Sequence, residues 1–317
     1  MKLVAGFVLG LVATGALLAC APRPMSDRLA TLKSDGLRLA EVYDRIAQNP
    51  RPIDIAFVGS SHTMNGIDDR GIEDNLAQQG VAADVANLGV MWMGRDLHLF
   101  LIRELLARKT PKLIVLELNE HEPPYGHPLL PYVAAASDMF CCHFWFDLDF
   151  PKMFLLFLKE QTRGVVSILW RPDVTAVSAS KSWDFGWDPV DRVWDSRTPK
   201  TPSLGDRFER LLGERSKAFA YRLTAAFGDD TVAQIVELAR SRHVQILFLY
   251  LPEYVYAAYE SEDNVSFHEK LAPTIRLPGE VVADPLNWFD VAHLNRAGAL
   301  KVVPELSAQI AAYLRGR

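Results

Sequence analysis

The chain has 317 residues, 49% of them hydrophobic and 23% charged, with a formal net charge of -5 and a pI near 5.9. That length and balance suit one large domain with a full core and require no second. A net acidic chain lacks the basic excess that phosphate binding calls for, so nucleic acid is not expected as a partner.

Residues 1–22 read as a targeting segment. Met1 and Lys2 give a short positive start, 3–18 are apolar, and Leu17-Leu18-Ala19-Cys20 closes the segment with small residues. The tetrapeptide looks like a bacterial lipobox, which implies a lipidated Cys20. Cleavage after Ala21 would leave Pro22 first. An uncleaved anchor also stays open, because 3–21 comes close to the ~20 residues that span a bilayer. All three readings place the body outside the cytoplasm, and the first and third tether it to the membrane. The expected location is the periplasmic face, as a lipoprotein or anchored protein.

Residues 23–50 form a linker whose 27–47 stretch has apolar residues near helical spacing, predicting a spacer or packing helix. From 51 to 317 apolar runs alternate with helical patterns: strand 53–59, helix 66–79, strand 83–89, helix 94–109, strand 112–118. Such alternation predicts parallel βαβ units covered on both faces, an α/β protein of three layers, α/β/α, flavodoxin-like. The pattern breaks over 119–205, which is rich in Pro, Trp and Phe and reads as a long irregular insertion over the carboxyl edge of the sheet. It resumes with helices at 204–227 and 230–242, strands at 244–251 and 280–283, and a final helix at 296–314.

Chemistry-bearing residues fall at the strand ends, where open α/β sheets hold ligands. Gly59-Ser60-Ser61-His62 follows the first strand, Asn87-Leu88-Gly89 the second and Asn119 the third, while Asp290-Val291-Ala292-His293-Leu294-Asn295 precedes the last helix. A carboxylate three residues before an imidazole can accept from one ring nitrogen while the other faces a nucleophile. Each motif alone also suits a cap or a turn. The order and separation of the four carry the signal.

The four blocks resemble those of the SGNH (GDSL-like) hydrolase superfamily over about 53–314, leaving 119–205 unmatched. Asp290, His293, Leu294, Asn295, Gly298 and Ala299 match its last block, and Asn87 with Gly89 its second. Gly59-Ser60-Ser61 stands where Gly-Asp-Ser is usual, a form similar to the extracytoplasmic branch that works on cell-envelope acyl groups. Glu117 stands where the third block has Gly. The resemblance implies Ser61 as nucleophile, His293 as general base and acid, and Asp290 as its orienting carboxylate. It further implies an oxyanion hole from the Ser61 and Gly89 N–H groups and the Asn119 amide. Ser60 is the alternative nucleophile. Ser60, His62, Asn87 and Trp92 are further candidates for the substrate cleft, and Trp92 with Met91 can equally be core.

These features imply an esterase or O-acyltransferase working through an acyl-serine on acyl, in particular acetyl, esters of envelope polysaccharide. The alternative is a non-catalytic glycan-binding or assembly protein that partners a membrane acyltransferase. Glu120, His121, Glu122 and His127 carry metal-binding side chains, but Pro123 and Pro124 preclude an i, i+4 ligand pair there. No metal or cofactor is expected. Cys141 and Cys142 lack zinc-site spacing and read either as a strained vicinal disulfide or as two buried thiols.

Overall fold

The computed structural model describes residues 23–29, 32, 36–118, 125–140, 147, 149–170, 184–195, 214–254 and 268–316. In chain order the principal elements are α1 Leu37–Ala47, β1 Ile55–Val58, α2 Ser61–Gly66, α3 Asp69–Gln78, β2 Val85–Asn87, α4 Arg95–Arg108, β3 Leu113–Leu118, α5 Phe150–Trp170, α6 Glu214–Ser241, β4 Gln245–Tyr250, β5 Thr274–Arg276, α7 Gly279–Ala283 and α8 Arg296–Arg315.

The five strands form a parallel sheet in the order β2-β1-β3-β4-β5. Alternate residues serve opposite faces, as a period of two requires. Ala56, Val58, Ile114, Leu116, Ile246 and Phe248 turn toward α1, α4 and α6, joining Leu39, Val42, Ile46, Leu101 and Ile235. Ile55, Phe57, Leu113, Val115, Leu247 and Leu249 turn the other way, onto α3 and α8, where Ile72, Leu76, Val302, Leu306 and Ile310 meet them. With both faces covered the strands read as continuous apolar runs, and the three-layer α/β/α architecture follows.

Several elements differ from the sequence expectation. The stretch 280–283, expected as a strand, is the helix α7. The fifth strand lies earlier, at β5, where Ile275 alone is buried between half-exposed Thr274 and Arg276, too short an alternation to register as a period. The two helices expected at 204–227 and 230–242 are one helix, α6, over its described length. Gly228-Asp229-Asp230 looks like a stop and cap. Yet the helix runs through, and the Thr231 hydroxyl donates to the Phe227 carbonyl four residues back.

The helix within 27–47 belongs to the body. α1 buries Leu39, Val42 and Ile46 in the core, and it follows a short helical turn at Met25–Leu29. The described part of the insertion is also more regular than expected. Short helices at Leu130–Val133 and Ala136–Met139 precede α5, whose Met153 and Phe157 enter the core. Residues 184–195 then run as an extended strap. The Trp187 indole donates to Asn65 O (2.7 Å) and the Asp188 N–H to Met64 O (3.0 Å), while the Trp194 N–H donates to Trp288 O (2.7 Å). The strap therefore bridges the segment after β1 and the segment before α8. Cys141, Cys142 and 196–213 lie outside the described residues.

Candidate active site

β1 delivers the chain to Gly59 at the carboxyl edge, where it turns sharply into α2. Ser60 is the N-cap, extended at φ -88° and ψ -161°, and its Oγ accepts from the His62 N–H (3.2 Å). Ser61, the first helical residue, projects its hydroxyl out of the turn, with Oγ 2.7 Å from His293 Nε2.

His293 is held by a tight hairpin rather than by the helix that follows. Trp288 and Leu294 form an antiparallel bridge, and the Phe289 N–H donates to His293 O (3.0 Å). At the hairpin tip Asp290 Oδ1 accepts from the N–H groups of Ala292 (2.8 Å) and His293 (2.9 Å). The same carboxylate meets His293 Nδ1 at 2.9 Å through Oδ1 and 3.0 Å through Oδ2. Asn295 then caps α8 by accepting from the Gly298 N–H (3.0 Å), and its amide donates to Leu286 O and Trp288 O.

Electrostatics assigns the tautomer. Partial burial works to raise the Asp290 carboxyl, but the hydrogen bond from the His293 ring and the two backbone donors outweigh it, leaving Asp290 below its usual value and ionised. An ionised Asp290 draws the proton onto Nδ1, which leaves Nε2 as an acceptor facing the Ser61 hydroxyl. The Phe289 ring stacks on the imidazole (centroids 5.2 Å, 15°) and the His62 ring meets it edge-on (4.8 Å, 78°), so its plane is fixed from two sides.

Beneath the turn lies Glu117, a strand residue only 1% exposed. Its carboxylate accepts from the Ser60 N–H (2.7 Å) and hydroxyl (2.6 Å) and from the Thr63 N–H (3.1 Å) and hydroxyl (2.5 Å). Burial works to raise this carboxyl. The adjacent His62 imidazole and the four donors outweigh that effect, and Glu117 sits below its usual value. His62 is lowered, chiefly by burial, and its Nδ1 is buried with no hydrogen-bond partner among the described residues.

The structure sorts the sequence candidates. Ser61, His293 and Asp290 come together in one hydrogen-bonded row. Ser60, the alternative nucleophile, is buried with its hydroxyl donated to Glu117. Asn87 is fully buried. Its amide donates to Thr63 O and Ile67 O (2.8 Å each), closing the carbonyl end of α2, so it does not line the cleft.

Gly89 also differs from expectation. Its N–H donates to Asn87 Oδ1 (2.9 Å) and so is not a free oxyanion donor. Its missing side chain serves close packing instead, since a Cβ there would lie 2.5 Å from Met64 N. By contrast, the Ser60, His62 and Thr63 N–H groups all have acceptors, while none is recorded for the Ser61 N–H among the described residues. Trp92, 42% exposed, is held at φ 65° in the loop after β2. Asn119 and the Glu120-His121-Glu122 cluster lie outside the described residues. His127 is buried with both ring nitrogens engaged, by Met91 O (2.8 Å) and the Leu129 N–H (3.1 Å). Among the described residues no group of three or more His, Cys, Asp or Glu is placed to hold a metal ion.

Two supporting residues escape sequence reasoning. Arg38 of α1 reaches the loop after β2, donating to Gly89 O (2.9 Å), Asn87 O (3.3 Å) and Gly186 O of the strap (2.6 Å). Burial lowers this guanidinium to about 10, against the opposing pull of Glu41, Asp69 and Asp188, so it remains a cation. Asp69, fully buried, accepts from the N–H groups of Asn87 (2.8 Å) and Gly186 (2.7 Å). Nothing in the spacing of an exposed-looking Arg on an amphipathic helix signals such a role.

No protein family matches this chain, and no curated protein does. Among solved structures, the crystal structure of a Bacteroides fragilis protein provisionally described as an acylhydrolase aligns at 13% identity with a TM-score of 0.37. The alignment covers 88% of this chain and 100% of that one.

Proposed function

We propose that this protein is an SGNH-type serine hydrolase or acyltransferase acting on carboxylic esters. The observation that carries the reading is the row from Asp290 through His293 to Ser61 Oγ, with contacts of 2.9 and 2.7 Å. Such a row is what activation of a weak hydroxyl nucleophile requires. Ser61 Oγ bonds to the ester carbonyl carbon as its proton passes to His293 Nε2, and the former carbonyl oxygen becomes an oxyanion beside the open Ser61 N–H. Collapse breaks the bond to the alcohol, which takes the proton back from His293 and leaves an acyl-Ser61 ester. Water or a second hydroxyl, giving its proton to His293, then attacks the acyl carbon and displaces Ser61 Oγ, which takes that proton back and restores the hydroxyl. An oxyanion donor of this kind is worth about 3 kcal/mol in known enzymes.

The substrate class, acyl esters of cell-envelope polysaccharide, is proposed from the Gly59-Ser60-Ser61 form of the first block. An extracytoplasmic, membrane-tethered location is proposed from the apolar 3–21 stretch and Cys20. The non-catalytic alternative expects Ser61 and His293 to point apart, and the 2.7 Å contact favours the enzyme.

Intact mass after exposure to a fluorophosphonate tests the reading. A single adduct on the wild type, absent from Ser61→Ala and His293→Ala, is expected. A folded wild type that takes no adduct would sink the enzymatic reading.

A further inference from the structure

Two departures from the resembling family lie in contact. Ser60 stands where the first block carries Asp, and Glu117 where the third carries Gly. These two side chains meet at 2.6 Å. The carboxylate missing from the turn has in effect moved to the strand beneath it.

From this geometry we infer that Glu117 is the positioning residue of the site, clamping the Gly59-to-Thr63 turn so that Ser61 Oγ meets His293 and the Ser61 N–H stays open; the inference rests on the acyl-serine reading above. Glu117 binds Ser60 and Thr63, on either side of Ser61, through both the N–H and the hydroxyl of each. With the His62 N–H going to Ser60 Oγ, the Ser61 N–H is the backbone donor of the 60–63 turn that has no acceptor among the described residues. Gly59 completes the fit, since a Cβ there would overlap both Thr63 Oγ1 and Glu117 Oε2. A strand residue whose ionised side chain is buried under a polar turn is costly unless fully paired. Here both carboxylate oxygens accept from the turn that carries the nucleophile, Oε1 from the Ser60 hydroxyl and Oε2 from the Ser60 and Thr63 N–H groups and the Thr63 hydroxyl.

The test measures fluorophosphonate inactivation of the full chain in detergent, separating the maximal rate kinact from the half-saturating concentration KI. A misplacement of about 1 Å at a reacting atom can cost 100-fold. Glu117→Gln is expected to lower kinact about 10- to 100-fold with KI within about twofold of wild type and circular dichroism unchanged. Ser60→Ala, which removes one arm of the clamp, is expected to lose less. The exchange Ser60→Asp with Glu117→Gly, which returns the carboxylate to the turn, is expected to label at least about tenfold faster than Glu117→Gly alone. A folded Glu117→Gln that labels at the wild-type rate overturns the inference while leaving the acyl-serine reading intact. If Glu117→Gln does not fold, a folded exchange variant no faster than Glu117→Gly overturns it instead. A folded wild type that never labels removes the function itself, and the positioning role with it.

Discussion

Asp290 Oδ1 accepts from two backbone N–H groups and from the His293 ring, so one carboxylate both shapes the hairpin and fixes the tautomer. Asp290→Asn can keep the backbone bonds through its carbonyl oxygen but no longer favours a proton on Nδ1. Labelling of Ser61 should fall by about 100- to 10,000-fold, with a much smaller change in urea midpoint. Because the native carboxyl lies below its usual value, its stabilisation is present at neutral pH and is lost as pH falls through that lowered value. The variant should therefore show a flatter acid limb in thermal melts.

Gly59→Ala tests the other side of the site. Its Cβ would push Glu117 and Thr63 apart, so a loss of about 1–3 kcal/mol by urea denaturation and slower labelling are both expected. At this scale the meeting of Ser61, His293 and Asp290 was legible, because a hydroxyl after the first strand and an Asp-x-x-His pair before the last helix both fall at the carboxyl edge of the sheet. Gly89 and Asn87 were placed correctly at a strand end and given the wrong task. Sequence shows which groups reach the edge of the sheet, but not which of their donors are already spent on one another.

The first turn of α4 carries Asp96, a buried carboxyl. Burial raises it to about 7, aided by Asp147 and resisted by donors from His127 and Leu97. The native value lies above the unfolded one of 3.8, so the protonated form is the one that stabilises the fold. The Asp96 contribution to stability should decline as pH rises from about 4 through 7, by up to roughly 4 kcal/mol for that difference in pKa, against the opposite trend that the lowered His127 gives. Asp96→Asn, which keeps the accepting oxygen, should gain on the wild type in melts as pH rises from 5 to 8, and a constant difference between the two would place the pH dependence elsewhere. Elements were legible where period and length agree, as in β1, β3, β4 and α8. They were not where three residues make a strand, as in β5, or where Gly228 looks like a terminus in a helix that continues.

Across the molecule, the α/β/α layering follows from the alternation of apolar runs with helical patterns. That information is local, and the sheet order completes it. The strap carries no such period, and α5, although amphipathic, sits in a Pro- and aromatic-rich stretch that reads as irregular. The strap matters because it joins α1, the loop after β2 and the α8 entry through Arg38, Asp69 and Trp194. Arg38→Met should remove three carbonyl contacts at once and cost about 2–4 kcal/mol in urea denaturation. It should also slow labelling of Ser61, although Arg38 touches neither Ser61 nor His293. An unchanged midpoint would mean that the loop after β2 holds itself.

The hydrogen bond between Ser61 and His293 joins residues 232 positions apart. Synthesis from the amino end releases the serine long before the imidazole. Until α8 docks against α3 the hydroxyl has no base and is no more reactive than any other serine. On the proposed reading, reactivity is thereby withheld from every copy in which the His293 hairpin has not yet reached the Ser61 turn.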